Sequence, residues 1–195
     1  MAEIIARTER LLLRTEAAGD QHIWRAHINV PAAMAHLGGV RTDDEIAAKF
    51  QRNADRWARH GFCGMLLERR SDGLLLGQCG LGRIERDEAP AGLRGQMEIG
   101  WMLRPDCWGQ GYALEAARCV VALAFERYGA ATLFGQTSQG NSASLRLMAR
   151  LGMTRRADLD YVDPIYPPGD NPTIIHELSG ARWRAGETAK ETPEP

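Results

Sequence analysis

The sequence predicts a single α+β domain with a mixed, mostly antiparallel sheet of about seven strands and about four flanking helices. Strand-like apolar runs cluster in the first half, and helical patterns alternate with strands in the second half. This order differs from the regular alternation of a doubly wound parallel sheet. The composition agrees, because 195 residues, of which 44% are hydrophobic and 25% charged, are typical of one globular domain.

The helices and strands of the first half are indicated by their end signals. The second helix has Thr42 as its N-cap, an acidic first turn and Gly61 at its end. The Asp72-Gly73 step between two apolar runs is typical of a hairpin. The predicted strands of this half are 10–15, 62–68, 73–82 and 97–103, and the predicted helices are 20–29 and 42–60.

The second half alternates more regularly. A long helical pattern follows the Gly109-Gln-Gly111 turn, and a shorter helix begins at Asn141 and ends at Gly152. The predicted helices of this half are 112–128 and 141–151, and the predicted strands are 132–137, 153–161 and 173–178. We expect one domain over 8–184 and a disordered tail over 185–195, because the tail is polar and contains prolines.

Charge and cysteine content exclude several classes of protein. With 24 basic and 25 acidic residues the net charge is -1, so we expect no nucleic-acid partner. No apolar run approaches the length of roughly 18 residues that a membrane helix needs, so we expect no membrane partner. The four cysteines form no C-x-x-C pair, which predicts neither a metal site nor a disulfide scaffold and favours a cytoplasmic location.

The most informative segment is 97–115, where a strand leads through two glycines directly into a long helix. Glycines let main-chain N–H groups approach a ligand, and a helix N-terminus supplies unpaired donors and a partial positive charge. This predicts a phosphate or diphosphate site, although a plain strand-to-helix turn has the same pattern. No Lys-Ser/Thr follows the glycines, and the third glycine of a dinucleotide fingerprint is missing.

These residues resemble the GNAT superfamily of acetyl-CoA-dependent N-acyltransferases, whose motif reads Gln/Arg-x-x-Gly-x-Gly/Ala. Here the motif is Trp-Gly-Gln-Gly-Tyr-Ala at 108–113, and Trp108 departs from its first position as in the RimJ/RimL-type branch. A second landmark is the Asn-x-x-Ser…Leu-Gly pattern over 141–153. The chain ends, 8–14 and 174–183, also resemble that branch.

The resemblance implies a fold in which the fourth and fifth strands splay apart, here near 101–103 and 135–137, and admit the pantetheine arm of acetyl-CoA. Main-chain groups of Met102 and Leu103 would orient the thioester, one N–H acting as an oxyanion donor. Asn141 would bind the pantetheine, act only as an N-cap, or do both. The implied acetyl-CoA-binding residues are Met102, Leu103, Trp108, Gly109, Gln110, Gly111, Tyr112, Ala113, Asn141 and Ser144.

The catalytic residues are less clearly indicated. Many members of the superfamily use a tyrosine seven residues after the asparagine as the acid, but that position is Met148 here. Ser144 is our substitute acid, unless it is a helix serine bonded back to a carbonyl. Glu98 is our base, acting through water, unless it is a structural carboxylate. The spacing of the five histidines singles none of them out.

The predicted reaction is acetyl transfer from acetyl-CoA to a primary amine, first of all the N-terminal amine of a protein. A small-molecule amine, a non-catalytic acyl-CoA-binding module and a phosphate-binding domain of another fold stay open as alternatives. We expect the first two helices and the loop at 163–172 to choose the acceptor. Acidic residues in and before this loop would attract a cationic amine or form a solvated acidic face, namely Asp158, Asp160, Asp163 and Asp170. Relatives of this type commonly form homodimers.

Overall fold

The structure is a computed structural model that describes residues 2–191, with the backbone alone from 187 to 191. Eight strands form one sheet in the order β1-β2-β3-β4-β5-β6-β8-β7. The strands are β1 Ile4–Arg7, β2 Leu11–Arg14, β3 Gly64–Arg69, β4 Leu75–Arg83, β5 Met97–Leu103, β6 Thr132–Ser138, β7 Thr154–Arg155 and β8 Thr173–Ser179. The helices are α1 Asp20–Ile23, α2 Pro31–Met34, α3 Asp43–His60, α4 Tyr112–Ala122, α5 Ser142–Arg150 and α6 Gly180–Glu191; α1 and α4 continue as π-helical turns.

The predicted α+β class with a mostly antiparallel sheet is confirmed, and only β5 and β6 pair in parallel among the described strands. β1 lies before the predicted domain boundary at residue 8 and pairs with β2. The long strand predicted at 153–161 is wrong, because only Thr154–Arg155 forms a strand and a 3₁₀ turn follows at Ala157–Leu159. The tail predicted to be disordered is helical as far as Glu191, and 192–195 lie outside the described residues.

The end signals of α3 act as the sequence predicts. The Thr42 hydroxyl accepts a hydrogen bond from the Glu45 N–H, and the Glu45 carboxylate accepts one from the Thr42 N–H, which completes a capping box. Gly61 ends the helix in the left-handed region at φ 71°. The apolar stripe of α3 buries Ile46 and Phe50 against one face of the sheet.

The two faces of the sheet carry separate apolar clusters. On β5, the side chains of Met97, Ile99 and Leu103 pack with α4 in the main core. Met102 points to the opposite face, where it packs with the α1 and α3 cluster around Trp24. Since side chains alternate along a strand, Glu98 and Gly100 share the face of Met102, and Trp101 shares the face of α4.

β5 and β6 separate after a short parallel contact. They are in register only at Met97–Leu133, Glu98–Phe134 and Ile99–Gly135. Beyond this point β5 remains paired with β4 through Leu103, whereas β6 remains paired with β8 through Ser138. Each strand therefore follows its outer neighbour and a gap opens in the sheet, which confirms the predicted splay.

The part of the chain that the structure describes contains neither a candidate membrane helix nor a candidate metal centre. No helix there is long and apolar enough to cross a bilayer. No three His, Cys, Asp or Glu side chains there come together as metal ligands.

Candidate active site

A cleft of about 1400 Å³ lies at the gap between β5 and β6 and is lined by residues from both faces of the sheet. One side is lined by the 108–113 turn and the start of α5. The other is lined by the segment after α2, by α3 and by the loop before β8. Glu98 and all of the residues predicted to bind acetyl-CoA line this cleft, except Gln110.

The turn that precedes α4 presents free main-chain donors. Gly109 and Gly111 have φ of 73° and 83°, in the region that favours glycine, and an added Cβ at Gly109 would meet nothing within 4 Å. α4 begins at Tyr112 with Gly111 as its N-cap and without a side-chain cap. The first N–H groups of α4 are therefore open to an anion, which matches the predicted diphosphate site.

An ion-pair network absent from the sequence prediction holds this turn. The Glu115 carboxylate, in the first turn of α4, accepts hydrogen bonds from the Thr8 hydroxyl at 2.5 Å and from Arg10 N and Nε at 2.8 and 2.7 Å. Arg10 Nη1 also donates to the Gln110 carbonyl at 3.0 Å. Burial alone would raise the pKa of Glu115, but these hydrogen bonds outweigh it and the pKa lies below its ordinary value. The network therefore ties the N-terminal segment to the proposed diphosphate turn.

The register of β4 and β5 decides which main-chain groups face the gap. At one end of the ladder Arg104 N donates to Leu76 O, and at the other end Ile84 N donates to Gln96 O. Hydrogen-bonded pairs alternate with non-bonded pairs in an antiparallel ladder, so the even-numbered residues of β5 are the ones that exchange hydrogen bonds with β4. Met102, opposite Gln78, belongs to this set, and the predicted role of its main chain is wrong. The groups that face the gap are those of Trp101 and Leu103.

A hydrogen bond connects Leu103, at the end of β5, to the side chain of Trp108. The Leu103 carbonyl accepts a hydrogen bond from Trp108 Nε1 at 2.9 Å, while the indole ring is half exposed at the cleft. The Leu103 N–H and both main-chain groups of Trp101 therefore remain for a ligand in the gap. Trp101 was not among the predicted binding residues, because the sequence does not reveal which strand residues pair with which neighbour.

Glu98 lies on the face of the sheet opposite α4, at the end of a chain of hydrogen bonds. Its carboxylate accepts from Gln136 Nε2 at 2.6 Å, and Gln136 Oε1 accepts from the Tyr161 hydroxyl at 2.8 Å. Burial raises the pKa of Glu98, and the bond from Gln136 only partly offsets this. A raised carboxyl pKa brings the group closer to neutral pH, where general bases work best.

Asn141 and Ser144 lie on the α4 face. Asn141 Oδ1 accepts from Ser144 N at 3.1 Å, so the N-cap role is realised and the Asn141 Nδ2 group is left for another partner. Ser144 Oγ accepts from Trp101 Nε1 at 3.3 Å, which leaves its own proton available. Met148 is buried in the core and contributes no proton donor.

The acidic residues around the 163–172 loop all have side-chain partners, three of them arginines and one a histidine. Asp158 and Asp160 bind Arg156 and Arg155, Asp163 lies 3.4 Å from Arg86, and Asp170 lies 2.8 Å from His36. The side chain of Asp163 is also buried, and that of Asp170 is 11% exposed. The arginine partners leave Asp158, Asp160 and Asp163 little unbalanced charge with which to attract a cationic amine, and of these three only Asp158 is largely solvated.

The fold and the cleft define an acetyltransferase, and comparison with known proteins agrees. The model of the acetyltransferase (GNAT) domain matches residues 10–154, and the chain therefore belongs to the GNAT family. It is an acetyl-CoA-dependent N-acetyltransferase. The finer RimJ/RimL-type assignment stays a prediction.

Three relatives by sequence or structure include two that are named as acetyltransferases, whereas YkkB is uncharacterized. YkkB of Bacillus subtilis is 29% identical over 149 residues, 75% of this chain and 83% of that protein. The FsC-acetyl coenzyme A-N(2)-transacetylase of Aspergillus fumigatus is 39% identical over 115 residues, 58% of this chain but only 49% of that protein. An acetyltransferase from Agrobacterium tumefaciens superposes with a TM-score of 0.71 at 27% identity, over 89% of this chain and 92% of that one.

Two more distant structures share the fold alone. One is described as a candidate ribosomal-protein-serine acetyltransferase of Vibrio cholerae, with a TM-score of 0.69, 19% identity and coverage of 89% and 95% of the two chains. The other is the spermidine N-acetyltransferase of the same organism in complex with CoA and spermine, with a TM-score of 0.70, 14% identity and coverage of 91% and 99%.

Proposed function

We propose that the protein acetylates the N-terminal amine of a protein, using acetyl-CoA as the donor. The observation that carries the transfer is the gap between β5 and β6, which connects a turn of free N–H donors on one face to Glu98 on the other. The donor can enter from the α4 side while the amine approaches from the α3 side. The resemblance to the RimJ/RimL-type branch supports a protein N-terminus as the acceptor.

The residues at the gap fit acetyl-CoA. The N–H groups of 109–113 would hold the diphosphate, and Trp101, Leu103 and Asn141 offer main-chain and amide groups to the pantetheine. Acetyl-CoA supplies a thioester, whose carbonyl carbon accepts the amine nitrogen and whose sulfur leaves. An N–H of β5 that faces the gap is the candidate donor to the thioester oxygen.

Two proton transfers complete the reaction, and the candidate groups stand on opposite faces of the sheet. Glu98, on the acceptor face, takes a proton from the nitrogen through water. Ser144, on the donor face beside Trp101, donates a hydrogen bond to the departing thiolate and can relay a proton to it from water, which reprotonates the hydroxyl. This separation matches the opposite approach of the two substrates.

A small-molecule amine is the second candidate acceptor. The fungal relative named as an N(2)-transacetylase favours it, because that name places acetylation on a specific nitrogen of a defined compound. Both candidates present a primary amine to the same face of the sheet.

The test measures release of the CoA thiol from acetyl-CoA with two acceptor sets. One set consists of peptides with free N-termini, each matched by the same peptide with a blocked terminus, and the other consists of amino acids, polyamines and amine-bearing antibiotics. Turnover of free but not blocked peptides supports the first candidate, and turnover of the second set alone supports the other. Tight acetyl-CoA binding without turnover on either set contradicts both and favours a non-catalytic acyl-CoA-binding module.

A further inference from the structure

Three residues that are distant in sequence meet at the acceptor side of the cleft. His36 follows α2, Ser138 ends β6, and Asp170 belongs to the 3₁₀ turn Pro168–Asp170. His36 Nδ1 lies 2.8 Å from Asp170 Oδ1 and 3.2 Å from Ser138 Oγ. All three residues line the cleft.

The contacts of the imidazole determine which of its nitrogens is free. A carboxylate only accepts hydrogen bonds, so Nδ1 must carry the proton that it donates to Asp170. In the neutral ring, Nε2 then has the unshared electron pair and can accept a proton. No hydrogen-bond partner of His36 Nε2 occurs among the residues that the structure describes, and the side chain is 36% exposed.

Asp170 is held firmly enough to orient the ring. Its side chain is only 11% exposed, and the neighbouring Asn171 ties the loop together. Asn171 Oδ1 accepts from Asp163 N at 2.9 Å, while Asn171 Nδ2 donates to the carbonyls of Asp163 and Tyr166 at 3.1 and 3.0 Å. The carboxylate therefore comes from a preorganised loop.

The imidazole lies on the same face of the sheet as Glu98. Ser138 and Gln136 are two residues apart on β6 and point to one side, roughly 6–7 Å from each other along the strand. Gln136 holds Glu98, and Ser138 contacts His36. The ring is also close to the start of α5, because His36 Cε1 lies 3.4 Å from the position of a Cβ on Gly140.

We propose that His36, oriented by Asp170, removes the proton that an acceptor ammonium brings into the cleft. This inference rests on the proposed function. An ammonium that becomes an amide loses two protons in total, and Glu98 accounts for only one of them. The N–H bond of the ammonium breaks, its electron pair stays on the amine nitrogen, and a new N–H bond forms at His36 Nε2. The exposed imidazolium then returns its proton to solvent water, and Asp170 and Ser138 are positioning residues.

The test compares two acceptors of similar size, an alkylamine that is ammonium at the assay pH and a hydrazide whose nitrogen is neutral there. We expect His36→Ala to lower kcat on the alkylamine by about 100-fold and to lower it far less on the hydrazide. Added imidazole should restore turnover of the alkylamine, while acetyl-CoA affinity stays at the wild-type value and the protein remains folded, with a lower unfolding temperature because Asp170 loses a hydrogen-bond donor. Asp170→Asn should show a smaller loss with the same preference.

His176→Ala, at a half-buried histidine of β8 that does not line the cleft, is the matched control and should keep wild-type turnover on both acceptors. Equal losses on both acceptors without rescue by imidazole would overturn the inference, as would full activity of His36→Ala. In both of these cases the wild-type protein still acetylates the amines, so the proposed function is not contradicted. A wild-type protein that acetylates no amine overturns the proposed function and this inference with it.

Discussion

Replacing Gly111 with aspartate tests whether the turn before α4 binds a diphosphate. A carboxylate at this N-cap position can bond to the first N–H groups of α4, the same donors that the ligand needs. It also places a negative charge next to the diphosphate, where each pair of charges about 4 Å apart at an effective dielectric constant of about 20 repels by about 4 kcal/mol. We expect acetyl-CoA binding to weaken by about 1,000-fold or more.

The same substitution should leave the protein folded. The left-handed conformation at Gly111, φ 83°, costs a residue with a side chain about 1–2 kcal/mol. A new N-cap returns about 1 kcal/mol, and the nearest atom to the added Cβ is the flexible end of Arg10, at 3.3 Å. The net change in the free energy of unfolding should be about 1 kcal/mol or less.

Calorimetric titration with acetyl-CoA and thermal unfolding measure the two quantities separately. Gly129→Asp is the matched control, because Gly129 has φ of 66°, has no atom within 4 Å of an added Cβ and lies beyond the opposite end of α4. Gly129→Asp introduces the same backbone strain and the same charge, but it should keep the wild-type affinity for acetyl-CoA, since the added charge lies more than a Debye length from the diphosphate site. Wild-type affinity in folded Gly111→Asp would refute the assignment of the diphosphate site.

Three further predictions concern the gap and its supports. Glu98→Gln should lower kcat by about 100-fold with little change in the KM for acetyl-CoA, and the fall in wild-type kcat/KM at acid pH should disappear. Burial raises the folded-state pKa of Glu98, so ionisation of this carboxyl destabilises the fold as pH rises. Glu98→Gln should therefore unfold at a higher temperature than wild type near neutral pH, and the difference in unfolding temperature should vanish toward acid pH. A difference that grows on acidification would contradict this. Ser144→Ala should lower turnover more than it raises the KM for acetyl-CoA, with the exposed Ser142→Ala as control, and unchanged turnover would exclude Ser144 as the acid. Arg10→Ala should weaken acetyl-CoA binding by about 10-fold and lower the free energy of unfolding by about 1 kcal/mol, because Glu115 loses its charged partner and the Gln110 carbonyl loses its donor. Wild-type affinity in calorimetric titration would contradict the supporting role of Arg10.

Local signals were sufficient wherever one segment determines its own conformation. The capping residues of α3, the Asp72-Gly73 hairpin and the glycine turn before α4 are all encoded within a few residues. The strands β1 and β7 were predicted poorly, because each depends on a partner strand elsewhere in the chain. β1 is stabilised by pairing with β2, and β7 retains only two residues beside β8.

The sequence by itself determined the α+β class, the order of the central elements and an anion-binding turn at 108–113, since backbone preferences and glycine conformations are local properties. Only the tertiary structure decided that Trp101 rather than Met102 faces the gap, because that depends on which neighbour β5 pairs with. It likewise brought His36, Ser138 and Asp170 together, and no spacing along the chain can reveal a contact that forms when separate loops pack on one end of a sheet.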